Sequence, residues 1–272
     1  MARDYPENTR LNVSIQAGLL EDIVTPAVEV AKEGLTNFRW EEDGLFVSSI
    51  DPANAIMICQ EIQEGEFERY DVEPAEDEVV FGTPCKTISR LLRAADSDEI
   101  VQLELNVDSN RMEIQFADVD YSMAGIAPGE IDEGRMPELE YDIEAVVHSS
   151  VLLRACQVVG MISDSIRFSI SKDRFSISGE GDTDIAEIDV ELREEEDEIV
   201  HGDNNHAATI LEVSESAEAR YGTQFVQHLN AFTPSTSLIA RFGEDYPLQV
   251  KTERSSGRIQ SEITIAPRMR SD

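Results

Sequence analysis

Apolar and polar positions alternate along much of this chain, as in Val101, Leu103, Leu105 and Val107, or Phe168, Ile170, Phe175 and Ile177. A period of two sends successive side chains to opposite faces, so these runs predict antiparallel strands with one buried and one polar face. Elsewhere the period lengthens to that of a helix. Amphipathic helices are predicted over residues 18–31, 84–95, 149–161 and 223–232, starting at intervals of about 65, 65 and 75 residues. The first is followed by "TNFRW", the turn "EEDG", "LFVSSI", the turn "DPAN" and "AIMICQEI"; the third by "SIRFSI", the turn "SKDR", "FSIS", a polar loop and "IAEIDVEL". The second and fourth share a layout of their own, with the turns "DSNR" and "RSSGR".

Four helices of about three turns cover only one face of such sheets, which predicts an α+β protein of two similar domains, each with two helix-plus-antiparallel-sheet repeats. The segment "APGEIDEGRMPELEY", 127–141, carries two prolines, two glycines and five acids and reads as a connector. The expected division is a flexible extension over 1–10, domains over 11–126 and 142–272, and the connector between them.

Composition changes the picture through charge. There are 56 acidic residues against 22 basic ones, a formal net charge of −34, and only four lysines: Lys32, Lys86, Lys172 and Lys251. The acids are spread along the chain, as suits a cytoplasm of very high salt where dispersed carboxylates keep a surface solvated. No run approaches the roughly 18 apolar residues of a membrane span, and "MARDYPENTR" does not resemble a signal peptide, so a soluble cytoplasmic protein is expected. Cys59, Cys85 and Cys156 form no CxxC pair and read as buried or incidental thiols.

Against that background "TPCKTISRLLRAAD", Thr83–Asp96, stands out. Lys86, Arg90 and Arg93 fall at i, i+4 and i+7, one face of a helix, while Ile88, Leu91, Leu92 and Ala95 form the opposite apolar stripe. The helix presents a positive stripe on a protein that otherwise repels anions. No enzymatic constellation accompanies it. "SGEGDTD" lacks the strand-loop-helix setting and Lys-Ser/Thr of a phosphate loop, and also the glutamate of a calcium loop. "HGDNNH" offers two imidazoles without a third ligand, and no GxSxG is present. No catalytic residue, metal or cofactor is predicted.

Six passages in order resemble the sliding clamps of archaeal and eukaryotic replication, the proliferating cell nuclear antigen (PCNA) family. They are "SIDPANA", "TISRLLRAADSDE", "MPELEY", "DSIRFSISKDRFSISGEG", "HLNAFTPST" and the terminal "IAP", and the resemblance spans about residues 11–268. It implies a closed homotrimeric ring around duplex DNA, with helices lining the hole, that tethers DNA polymerase, flap endonuclease, DNA ligase and the clamp loader through short peptides. Carried onto this sequence, it assigns DNA contact to Lys86, Arg90, Arg93 and Arg154. It assigns partner peptides to Ile50, Ala55, Met136, Pro247, Leu248, Ala266 and Pro267. Edge strands 118–125 and 184–190 would pair between subunits, with Tyr121, Met123, Ile185 and Ile188 as apolar contacts.

The chain departs from that family in its first helix, where Glu21 and Asp22 replace usual lysines, and at His228 and Pro234, where relatives are often basic. Hydrated cations bridging Glu21 and Asp22 to phosphates, with ring closure supplying the hold, would reconcile this with high salt. Gly134 and Arg135 are likewise unusual in the connector. Two other readings stay open: a clamp-like scaffold or subunit of a heteromeric ring, and a metal-dependent hydrolase using some of the many acids.

Overall fold

The computed structural model describes residues 9–31, 34–73, 78–126, 131, 139–193, 207–213, 216–231, 237–254 and 257–268. Each helix is entered from a strand that the periodicity reading did not include. Strand Arg10–Gln16 (β1) leads into Ala17–Val30 (α1), followed by Leu35–Trp40 (β2), Gly44–Ile50 (β3), Ile56–Gln63 (β4) and Arg69–Glu73 (β5). The second repeat is Val79–Pro84 (β6), Cys85–Leu92 (α2), Ile100–Asn106 (β7), Arg111–Phe116 (β8) and Val119–Ala124 (β9). The third is Ile143–His148 (β10), Ser149–Gly160 (α3), Ser165–Ser171 (β11), Arg174–Glu180 (β12), Ile185–Arg193 (β13) and Ala207–Val213 (β14). The fourth is Ala217–Gly222 (β15), Thr223–Val226 (α4), Ser237–Phe242 (β16), Leu248–Arg254 (β17) and Ile259–Ile265 (β18).

Two expectations are corrected. Arg10 does not belong to a flexible extension: it opens β1 opposite Glu73 and holds Asp71 at 2.8 Å. The fourth helix is a single α-turn that tightens into a 3-10 helix over Gln227–Ala231. Thr223, Phe225 and Val226 lose side-chain freedom in an α-helix, and one such turn closes more readily as 3-10.

Contacts divide the chain into two compact units. The first runs to Pro52 and takes Met57–Arg135 and Glu253–Ser261; the second takes Ala53–Ile56, Met136–Thr252 and the chain from Glu262. In the first unit the strand orders are β5-β1-β7-β8-β9 and β6-β2-β3-β4, antiparallel throughout. The first residues of β18, which belong to this unit, lie next to β4 in the strand order. The second unit repeats the scheme as β15-β11-β12-β13 and β14-β10-β16-β17. There β13 meets β14 only over Glu191–Arg193, in parallel.

In the first unit α1 and α2 close over Val13, Ile15, Leu103 and Ile114, and Trp40 sits in an aromatic group with Phe38, Phe67 and Tyr70. In the second, Phe168, Phe175, Tyr221 and Phe242 form the matching cluster. Helix α3 lies so close to β12 that a Cβ at Gly179 would stand 2.2 Å from a Val159 methyl carbon, which explains the glycine in "FSISGE". Burial pushes the thiols of Cys85 and Cys156 up to about 12, so both pack as small apolar groups. Pro26 interrupts α1 without breaking it. Lacking an N–H, it cannot serve the carbonyl of Asp22 one turn back, and the buried Gln60 amide donates to that carbonyl at 3.3 Å instead.

Candidate nucleic-acid interface and assembly edges

The stripe predicted on α2 is present. Cys85, Ile88, Ser89 and Leu92 point into the core, with Leu91 and Ala95 packed partly against it, while Lys86, Arg90 and Arg93 are exposed, Arg93 as the helix cap. The stem of Lys86 lies over Gly34, whose φ is +67° and whose missing Cβ would meet it at 2.8 Å. None of the three cations has an ion pair or hydrogen bond among the described residues. Most other described arginines do, including Arg39, Arg69, Arg174, Arg241, Arg258 and Arg268. This unpaired positive stripe stands against a chain charge of −34. Arg154 is exposed on α3 in the second unit.

Helix α1 differs from what was expected of its acids. The carboxylate of Asp22 meets the Arg254 guanidinium at 2.5 Å, so a protein cation already neutralises it, and Glu21 is half-buried. The partner of Asp22 is Arg254, a residue that sequence spacing could not connect to it. His228 is half-buried in the 3-10 turn, and Pro234 lies outside the described residues.

Among the described residues, β5, β9 and part of β13 have a neighbour on one side only, β5 pairing with β1 alone. β9 ends its sheet with a neighbour only in β8, and Ile185–Val190 of β13 pair only with β12. Tyr121 and Ile185 are exposed, Ile185 by 76%, and Ile188 is half-buried. Met123 is a correction: it is 5% exposed, its sulfur 3.6 Å from the Thr83 hydroxyl, and it belongs to the core. The edge of β15 is occupied: the carbonyls of Glu218 and Arg220 accept the N–H groups of Asp245 and Arg268. A cavity of about 210 Å³ beside β11 and β12 includes Arg167 and Arg220, but these share Glu218, and Glu180 stands at the same wall, so its charges balance internally. Among the described residues no group of three His, Cys, Asp or Glu side chains could hold a metal ion. "HGDNNH" lies outside them.

Residues 135–262 match the family model of the proliferating cell nuclear antigen C-terminal domain. A DNA polymerase sliding clamp of Methanosarcina mazei is 28% identical over 260 residues, covering 95% of this chain and 98% of that protein. Another from Natronomonas pharaonis is 26% identical, covering 86% and 89%. Over nearly its whole length the chain is similar to PCNA-type sliding clamps. Its fold agrees: a structure of A. fulgidus PCNA with the C-terminal region of FEN-1 bound superposes with a TM-score of 0.80 at 23% identity, over 96% of this chain and 100% of that one. PCNA from Thermococcus kodakaraensis gives 0.79 at 21% identity, over 95% and 100%.

The residues assigned to partner peptides are placed unevenly. In the second unit the N–H of Ala266 donates to the carbonyl of Ala55 at 2.8 Å, bringing the "IAP" terminus against "SIDPANA". Ala55, Pro247, Ala266 and Pro267 are half-exposed, and so is Ile50 in the first unit. Leu248 is fully buried, a core residue and not a surface contact; Met136 lies outside the described residues. Sequence reasoning missed Tyr141 and Tyr246, whose rings meet edge to face at 5.5 Å immediately before Pro247. The Tyr141 hydroxyl is buried without a partner among the described residues, and burial, then nearby Glu262, raises its pKa.

Proposed function

We propose that copies of this clamp close head to tail into a homotrimeric ring around duplex DNA and hold replication enzymes on it. The observation that carries this is the pair of edges at β9 and β13. In the repeat scheme β9 occupies the place of β18, and β13 the place of β4. β18 borders β4 within the chain, whereas β9 and the Ile185–Val190 stretch have no such neighbour. A second copy's edge supplies it, and because the two edges are different, the contact is heterologous and closes only as a ring.

Lys86, Arg90, Arg93 and Arg154 then serve as loose phosphate contacts that carry no sequence information, which a sliding protein requires. Short peptides of polymerase, flap endonuclease, ligase and clamp loader would anchor near Ala55, Pro247, Ala266 and Pro267. Support comes from the FEN-1 segment on the A. fulgidus relative. The clamp acts as a non-catalytic tether in a high-salt cytoplasm.

Retention on DNA tests the reading. Loaded onto nicked circular DNA, the clamp is expected to stay bound through gel filtration at about 2 M KCl and to run off once the circle is linearised, because topological linkage has no salt slope. Equal loss from circles and linear DNA would remove encirclement and favour the scaffold reading.

A further inference from the structure

We infer that Arg111 sets the rate at which this clamp assembles, because it caps the edge carbonyl of Ser122 that an incoming strand must use; the inference rests on the ring reading above. The N–H of Gly125 donates to the carbonyl of Asn110 at 2.8 Å. In an antiparallel ladder hydrogen-bonded and non-hydrogen-bonded pairs alternate. With the register Arg111↔Ala124, Met112↔Met123 and Glu113↔Ser122, the bonded pair at Asn110 makes Met112↔Met123 bonded and Glu113↔Ser122 not. The N–H and C=O of Ser122 therefore point away from β8 to the open edge, as do those of Asp120 and Ala124. Ser122 is the middle of the three.

The carbonyl at that middle position is not free. Nη2 of Arg111 donates to it at 2.7 Å, while Nε of the same guanidinium donates to Ser122 Oγ at 2.7 Å. Ser122 Oγ in turn donates to Glu113 Oε1 at 2.6 Å, which fixes the hydroxyl as an acceptor for Arg111. The residue opposite Arg111 is Ala124, too small to stop the arginine crossing over β9 to its diagonal neighbour. A charge-assisted bond of this kind satisfies an acceptor that the isolated chain would otherwise leave to water. It also occupies that acceptor on the side from which a second copy's strand approaches, so the incoming N–H must share the carbonyl with the guanidinium or displace it, which slows association.

The test uses the full chain, mixed rapidly from dilute buffer into about 2 M KCl, with light scattering followed in time. Arg111→Ala removes the cap. Ser122→Ala removes the Nε anchor while leaving every charge in place, and it decides the matter should Arg111→Ala fail to fold. Both variants are expected to assemble about threefold to tenfold faster than the parent, the range given by one net hydrogen bond, although Ser122→Ala lowers the unfolding midpoint. A parent that forms rings alongside a Ser122→Ala variant that forms them no faster would overturn the role of Arg111 alone. A parent that never exceeds the monomer mass would overturn the ring reading and this one with it.

Discussion

Asp22 shows how a single residue is held from two sides. Its carbonyl, orphaned by Pro26, accepts from Gln60, and its carboxylate takes Arg254. Losing a hydrogen bond to a part-buried carbonyl costs about 0.5–1.5 kcal/mol, so Gln60→Ala is expected to lower the unfolding free energy by at least that amount in urea titrations. Pro26→Ala restores the missing N–H. The double variant should therefore lose less than Gln60→Ala alone, a coupling that a double-mutant cycle reads directly. Equal losses in the two backgrounds would mean that Gln60 matters only through its contact with Ser261, 3.4 Å from the same amide.

At the scale of elements, the β2–β3 hairpin gathers charge of one sign. The carboxyl of Glu41 is raised above its ordinary range first by burial and then by Asp43 and Glu78, and that of Glu61 by burial and then Asp43. Groups whose pKa is raised on folding bind protons more readily in the folded state, so stability falls as pH rises from about 4 through their titration and is regained on acidification. Asp43→Asn is expected to flatten that slope and to raise the urea midpoint at neutral pH in low salt, an effect that fades in molar KCl. The Asp43 carbonyl that accepts from Glu64 is unaffected by the change. A slope equal to the parent's would assign the titration to other carboxyls.

The elements also mark where the sequence was legible. The α2 stripe and the alternating strands β7, β11 and β12 were readable because one face of each is buried and the other wet. Strand β6 was not, since Val79–Thr83 are buried on both faces and carry no alternation, although β1 with Leu11, Val13 and Ile15 had the signal. Among the site residues, the exposed cations of α2 followed from spacing alone. Met123 did not: it shares a strand face with exposed Tyr121, and only the packing of Thr83 over one end of β9 separates their burial. Arg254 and Asp22 are 232 positions apart, beyond any local pattern.

At the scale of the whole molecule, charge and assembly oppose each other. In the ring reading β9 brings Asp120, and β13 brings Glu187 and Asp189, to the same seam, so acids line both of its edges. Arg174 offsets part of this by holding Glu187 and Asp189, each at 2.8 Å, but the net charge of −34 per chain remains. Like charges directly opposite across strands are destabilising, and their repulsion reaches about 10 Å at 0.1 M salt but only about 3 Å at 1 M. Light scattering stepped from dilute buffer to about 3 M KCl should therefore show a chain of 30.3 kDa giving way to a trimer of about 91 kDa. Asp120→Asn removes one acid from the seam and is expected to move that transition to lower KCl without changing the final mass. A transition that stays at the parent's salt concentration would place the repulsion elsewhere than on this pair of edges, and the acids there would then serve only to solvate the free strand.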